Sequence, residues 1–199
     1  RELLPRADIV LDFHSGGKTL DFLPFAASHR LPDEAQQARA RAAVAAFAAP
    51  FSMQMLEIDS SGLYDTTAES LGKTFVTTEL GGGGTARAET VAIARRGTRN
   101  LLIHAGILAA APDPIPTPWL DMPSADCFTF AEQAGLLEPL LDLGAPVAAG
   151  QPVARIHPAT RTGLPPTELH AALTGLLAAR HFPGLIQPGD CAAVVAVPL

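Results

Sequence analysis

Ala7-Asp8-Ile9-Val10-Leu11-Asp12-Phe13-His14-Ser15-Gly16-Gly17 is an apolar run that closes in Asp-x-His and then in glycines. A short aliphatic run of this kind reads as a buried strand, and glycine directly after it frees the backbone to turn. Asp-x-His at the end of such a strand has the character of a metal-ligand position. A catalytic zinc ion normally takes three protein ligands and keeps one position open. The 199 residues contain no His-x-x-x-His, His-x-x-Glu or Cys-x-x-Cys. His14 is therefore either something else or one member of a ligand set completed outside this chain. The chain opens at Arg1 and reaches the strand almost at once, as expected of a longer protein that has lost its N-terminal part.

A second strand, Phe75-Val76-Thr77-Thr78-Glu79, ends in a carboxylate and passes through Leu80-Gly81-Gly82-Gly83-Gly84-Thr85 into a helix. In open α/β sheets ligands gather at the carboxyl ends of strands, so His14 and Glu79 are expected to aim at one edge. A carboxylate beside a metal-activated water is the usual general base for hydrolysis, and the glycines allow substrate or backbone to approach closely. Gly81-x-Gly83-x-x-Ala86 matches a loose dinucleotide fingerprint, but no acidic residue follows about twenty positions on to bind a ribose, and no Gly-Lys-Ser/Thr marks a phosphate loop. Pairing of Glu79 with an arginine such as Arg87 is the bland alternative. Ser15 lacks a Gly-x-Ser-x-Gly setting and a nearby base, which argues against a serine nucleophile. Asp12 is expected on the opposite strand face from His14, as an ordinary polar residue or a support for the site. Ser15, Gly16 and Gly81 are its candidate wall or supporting positions.

Outward from these two strands, apolar runs alternate with helical patterns: strand 7–14, helix 33–49, strand 52–58, a short helix near 65–71, strand 73–79 and helix 86–110. That alternation indicates an α/β domain with a mixed or mainly parallel sheet. Asp33 is placed to cap the first helix, with Gln36 three residues on and Arg39 and Arg41 as its exposed face. Gly97 interrupts the last helix, where Arg95, Arg96 and Arg99 read as a solvated face and His104 as a packed core residue. Pro112, Pro114, Pro116 and Pro118 make a stiff extended connector. The expected division is residues 1–111 for the C-terminal part of the α/β domain, 112–123 for the connector and 124–199 for a small all-β barrel or sandwich. The last segment has short strands split by Gly-Ala-Pro, Ala-Gly-Gln-Pro, Arg-Thr-Gly and Pro-Gly-Asp turns. Its near-repeats at 143–151 and 187–194 look like the turns of biotinyl or lipoyl carriers. No lysine follows Lys73, so carrier chemistry is excluded.

Composition narrows the partners. A net charge of -6 with two lysines, Lys18 and Lys73, offers no basic stripe for nucleic acid. The apolar stretches stop well short of the roughly 18 residues of a membrane span, and no secretory signal opens the chain. A cytoplasmic protein acting on a small molecule is the expectation, and self-association into a homo-oligomer is compatible with it. Cys127 and Cys191 belong to no spaced pair and read as small core residues.

Asp-Phe-His-Ser-Gly-Gly, Thr-Glu-Leu-Gly-Gly-Gly-Gly-Thr and the terminal barrel together resemble the succinylglutamate desuccinylase/aspartoacylase family of zinc-dependent amide hydrolases, across essentially the whole chain. The stretches 12–24, 69–108 and 136–196 are most similar to the members that deacetylate N-acetyl-diaminobutyrate in ectoine breakdown. The resemblance implies a zinc-carboxypeptidase-like α/β domain followed by a β-rich domain, with one Zn2+ per full-length chain. It implies His14 as the later zinc ligand and Glu79 as the carboxylate that activates water. The family's upstream His-x-x-Glu, which supplies the other two ligands, has no counterpart here and would lie before Arg1. A tyrosine that some members place in the β-rich domain is also missing, since Tyr64 is the only tyrosine. The implied substrate is a small N-acyl amino acid, and the implied fragment is inactive. The competing class is a non-catalytic small-ligand-binding or scaffold protein that uses the same sheet edge.

Overall fold

The structure is a computed structural model describing residues 2–57, 62–161 and 163–199. Its first half contains β1 (Ile9–His14), β2 (Leu20–Phe22), β3 (Phe25–His29), α1 (Glu34–Phe47), β4 (Phe51–Met55), α2 (Tyr64–Ser70), β5 (Thr74–Glu79) and α3 (Ala88–His104). There follow β6 (Trp119–Asp121), β7 (Phe128–Phe130), β8 (Gly135–Pro139), β9 (Pro146–Val147), β10 (Pro152–His157), β11 (Thr167–His170), β12 (Gly175–His181), β13 (Leu185–Ile186) and β14 (Cys191–Pro198). Position 58, the expected end of the fourth strand, and Thr162 in the Arg-Thr-Gly turn lie outside the described residues. Two compact units form, Arg1–His14 with Pro24–Leu80 and Arg87–Leu120, and Ser15–Leu23 with Gly81–Ala86 and Asp121–Leu199.

The first unit is α/β with a mixed sheet ordered β1-β5-β3-β4. β1 pairs β5 in parallel and β3 pairs β4 in parallel, while β3 runs antiparallel to β5. β3, like β2, is not announced by the sequence pattern, although all five of its residues are buried. Its Ala-Ala-Ser centre carries little β propensity, and burial between two strands decides the outcome instead. Asp33 caps α1 by accepting a hydrogen bond from the Gln36 backbone N–H. The Gln36 side chain is buried and donates to the Glu69 and Lys73 carbonyls at 2.9 and 3.0 Å, fastening the end of α2 to α1. α3 stops at His104 rather than running to 110, because Gly106 takes a positive φ of 72° and turns the chain out of the helix.

Gly97 sits mid-helix for a packing reason. Any Cβ there would overlap the ring of Phe47, a fully buried residue of α1. The same core holds Ala26, Ala43, Val44, Val76, Ile93 and Leu101. Asn100, also buried, exchanges two 2.8 Å hydrogen bonds with the Asp113 backbone and so pins the proline-rich stretch to α3.

The second unit is all β. β12 pairs β14, β2 and β9, and β7 pairs β14, while β11-β10-β8-β13 form a separate four-stranded antiparallel sheet. Val147, Val153, Ile156, Leu177, Ile186 and Val195 are among the side chains that fill its core. Among the described residues no helix is long and apolar enough to cross a membrane.

Gly97→Ala sets two effects against each other. Alanine gains about 1 kcal/mol of helix propensity over glycine, and overpacking a fixed ring costs about 1–3 kcal/mol. The ring is fully buried, so the variant is expected to be destabilised in urea unfolding, and Phe47→Leu in the same chain should recover part of the loss.

Candidate active site

His14 is the last residue of β1 and lies directly opposite Glu79, the last residue of β5. Its backbone is fixed on both sides: the N–H donates to Thr78 Oγ1 at 3.2 Å and the carbonyl accepts from the Leu80 N–H at 3.0 Å. The imidazole Nε2 is 2.9 Å from Asp12 Oδ2. This corrects the expected placement of Asp12, because side chains two apart on a strand share a face. Phe13, between them, points the other way and packs its ring 6.3 Å from that of Phe47. With Nε2 donating to Asp12, the ring is held in the tautomer that leaves the Nδ1 lone pair free. The His14 side chain is 57% exposed.

Glu79 lies between two strands of the sheet, opposite His14 on β1 and Phe25 on β3. Its Oε2 is buried without a hydrogen-bond partner. Burial raises its pKa from the ordinary 4.5 to about 7. A carboxyl group poised there can both take and return a proton near neutral pH.

Ser15, Gly16 and Gly81 belong to the second unit. Ser15 is exposed. Gly16 donates its N–H to the Gly81 carbonyl at 2.9 Å, and the same carbonyl accepts from Phe22. A Cβ on Gly16 or Gly82 would collide with the Leu20 carbonyl. Gly82 is approached by the backbone of β2, whereas a Cβ on Gly83 would meet the ring of Phe182.

Several other expectations need correction. His104 is not a core residue: it is exposed at the end of α3 and lines an open cavity of about 470 Å³ with Asp8, Arg39 and Lys73. Arg41 does not simply face solvent, since its guanidinium lies 4.1 Å above the Trp119 ring and donates to Gln54. Arg96 donates to the Ala48 carbonyl at the end of α1, whereas Arg95 is exposed. Of the two cysteines expected in the core, Cys127 is buried as expected and Cys191 is only half-buried, both as free thiols.

The sequence reading also passed over His29 at the end of β3, which meets Glu57, Asp65 and Glu69. Burial works against its charged form, but the hydrogen bond to Glu69 and the charges of Glu69, Glu57 and Asp65 outweigh it, so its pKa is raised above 6.5. The local signals were a histidine closing an apolar run and two acids four apart on a helix.

Residues 1–105 match the catalytic domain of the succinylglutamate desuccinylase/aspartoacylase family. The chain is 49% identical to the N-alpha-acetyl-L-2,4-diaminobutyric acid deacetylase of Halomonas elongata, over 98% of its own length and 58% of the relative's. It is similar to the product-bound structure of the ectoine utilization protein EutE (DoeB) from Ruegeria pomeroyi, with a TM-score of 0.96 and 58% identity across 99% of this chain and 60% of that one. A succinylglutamate desuccinylase structure from Silicibacter sp. TM1040 gives a TM-score of 0.95 and 55% identity, covering 100% and 60%. The chain thus spans about three fifths of the length of these relatives.

The raised pKa of Glu79 predicts a pH dependence with a definite sign. Between 4.5 and about 7 the folded state keeps a proton that the unfolded state has released. The stabilisation is complete below 4.5 and lost as pH rises through about 7. At about 1.4 kcal/mol per pKa unit, metal-free full-length protein should lose up to about 3.5 kcal/mol across that window relative to Glu79→Gln. Urea unfolding of both proteins at a series of pH values measures the difference.

Proposed function

This chain belongs to the succinylglutamate desuccinylase/aspartoacylase family, and from that premise we propose that the full-length protein is a zinc-dependent hydrolase of the N-acyl amide bond of a small amino acid derivative. The observation that carries the reading is the pairing of His14 with Glu79 at the carboxyl ends of β1 and β5. An exposed imidazole beside a desolvated carboxylate supplies two of the parts that metal-assisted hydrolysis needs.

Zinc fits these residues. Asp12 on Nε2 leaves Nδ1 as the ligand atom, in the carboxylate–histidine–metal arrangement that fixes a ring and raises its basicity. Among the described residues no set of three ligands includes His14. The remaining ligands would have to come from residues outside this chain, which spans about three fifths of the length of its relatives. When bound, zinc supplies a Lewis acid for the scissile carbonyl and lowers the pKa of water. Glu79 accepts a proton from the attacking water and delivers it to the departing amine nitrogen, and burial at the strand end keeps bulk solvent from levelling its pKa. The name of the Halomonas relative favours N-acetyl-diaminobutyrate as the substrate, with acetate released. A single histidine holds metal weakly, so the 199-residue chain alone should show little or no deacylation.

In the full-length enzyme, Glu79→Ala is expected to lower turnover at least about 100-fold, within the range for a general base, while zinc content stays unchanged. Near-normal hydrolysis by that variant overturns the assignment. A screen of acetyl-diaminobutyrate, acetyl-aspartate and succinyl-glutamate identifies the acyl group and amino acid.

Asp12→Asn keeps the shape but weakens the acceptor on Nε2, and should reduce zinc affinity about 10- to 100-fold. Competition with a chromogenic chelator reads this directly.

A further inference from the structure

β3 runs antiparallel to β5 with Phe25 opposite Glu79. Its last residue, His29, therefore lies four residues, on the order of 13 Å, away from the edge that carries Glu79. There the ring Nδ1 is 3.2 Å from both carboxylate oxygens of Glu69 and 3.6 Å from Glu57 Oε2, while Nε2 is 4.0 Å from Asp65 Oδ2. The acids come from two further segments, the chain just after β4 and α2, where Asp65 and Glu69 stand one helical turn apart. The side chains of His29 and Glu69 are only 7% and 8% exposed, whereas Glu57 and Asp65, at 30% and 25%, leave a way in from solvent.

Three carboxylates around one imidazole are poorly balanced by a proton on that ring, and excess charge on partly buried groups is costly. A divalent cation balances one charge more than a proton does. Ligand atoms of His29, Glu57 and Asp65 all lie within 4.8 Å of one another. We propose that these three residues form a second divalent-cation site at the opposite end of the sheet from His14 and Glu79. Glu69 accepts the Nδ1 hydrogen and so directs the Nε2 lone pair toward Asp65, as a supporting carboxylate does for a metal-binding histidine. Gln36 holds the Glu69 backbone in place, so the support is fixed before metal arrives. Metal bonds of about 2.0–2.2 Å set ligand atoms roughly 3–3.5 Å apart, and the more exposed Glu57 and Asp65 side chains rotate inward to close the set. One imidazole with two carboxylates suits Zn2+ or Mn2+, and suits Ca2+ poorly because Ca2+ seeks six to eight oxygens.

The site is independent of the deacylase reading, and the test keeps the two apart. Full-length protein is stripped with chelator and dialysed against Zn2+ or Mn2+ alone, and bound metal is counted in wild type, in Glu57→Gln/Asp65→Asn and in His14→Ala. The expected result is one equivalent fewer in the double variant than in wild type, with that equivalent kept in His14→Ala. Equal metal in wild type and the double variant overturns the proposal, whatever His14→Ala does. If circular dichroism shows the double variant unfolded, Glu57→Gln alone, at the most exposed of the ligands, decides by the same criterion: at least tenfold weaker binding of this equivalent supports the site, and unchanged binding overturns it.

Discussion

The parallel pairing of β1 with β5, from Ile9 opposite Thr74 to His14 opposite Glu79, is the constraint on which the candidate site depends. Strand side chains alternate strictly, so a slip of one residue would turn every group on β1 to the other face. The register is held by burial, because Val10, Phe75 and Val76 have to remain inside. The same alternation that sends Phe13 toward Phe47 sends Asp12 and His14 together to the other side. A hydrophobic requirement thereby sets the geometry of a polar pair, and neither Asp12 nor His14 has to contribute stability for the pair to form.

Glycine acts twice as a spacer that lets larger parts meet. At Gly97 it admits the Phe47 ring against α3, and at Gly16 and Gly82 it admits the Leu20 carbonyl. In both places the missing Cβ is filled by protein, and within the run after β5 the close backbone approach at Gly82, the Phe182 ring at Gly83 and positive φ at Gly81, Gly83 and Gly84 account for the glycines. Phosphate or dinucleotide chemistry is not needed to explain it.

Much of this was legible in the sequence, and the omissions have physical causes. β1, β5 and α1 carry strong local signals, an aliphatic run, a threonine-rich run and an aspartate cap, and each forms within two residues of its expected place. Both strand-end groups, His14 and Glu79, could be picked out because each closes such a run. β3 was not legible, since Phe-Ala-Ala-Ser-His has no period of its own and becomes a strand only by lying between β5 and β4. Asp12 shares the face of His14 because side chains two apart on a regular strand point the same way. His104 was misjudged because the pattern carried α3 past the glycine that ends it. The burial of Glu79 Oε2, and with it the raised pKa, is a property of the packed fold, which no spacing within one segment reveals.

The missed strand also explains why ionisable groups gather at both ends of one sheet. Had β3 run parallel to β5, His29 would have finished at the same edge as His14 and Glu79, where its imidazole would compete for any cation held there. Antiparallel insertion sends it to the far edge, beside the helix that leads into β5. Two histidines that each close an apolar strand therefore meet different surroundings. His14 is exposed beside one carboxylate, while His29 is buried among three. Strand direction, more than residue type, separates an open ligand from an enclosed one, and a residue-by-residue reading of the chain assigns both histidines the same character until that direction is known.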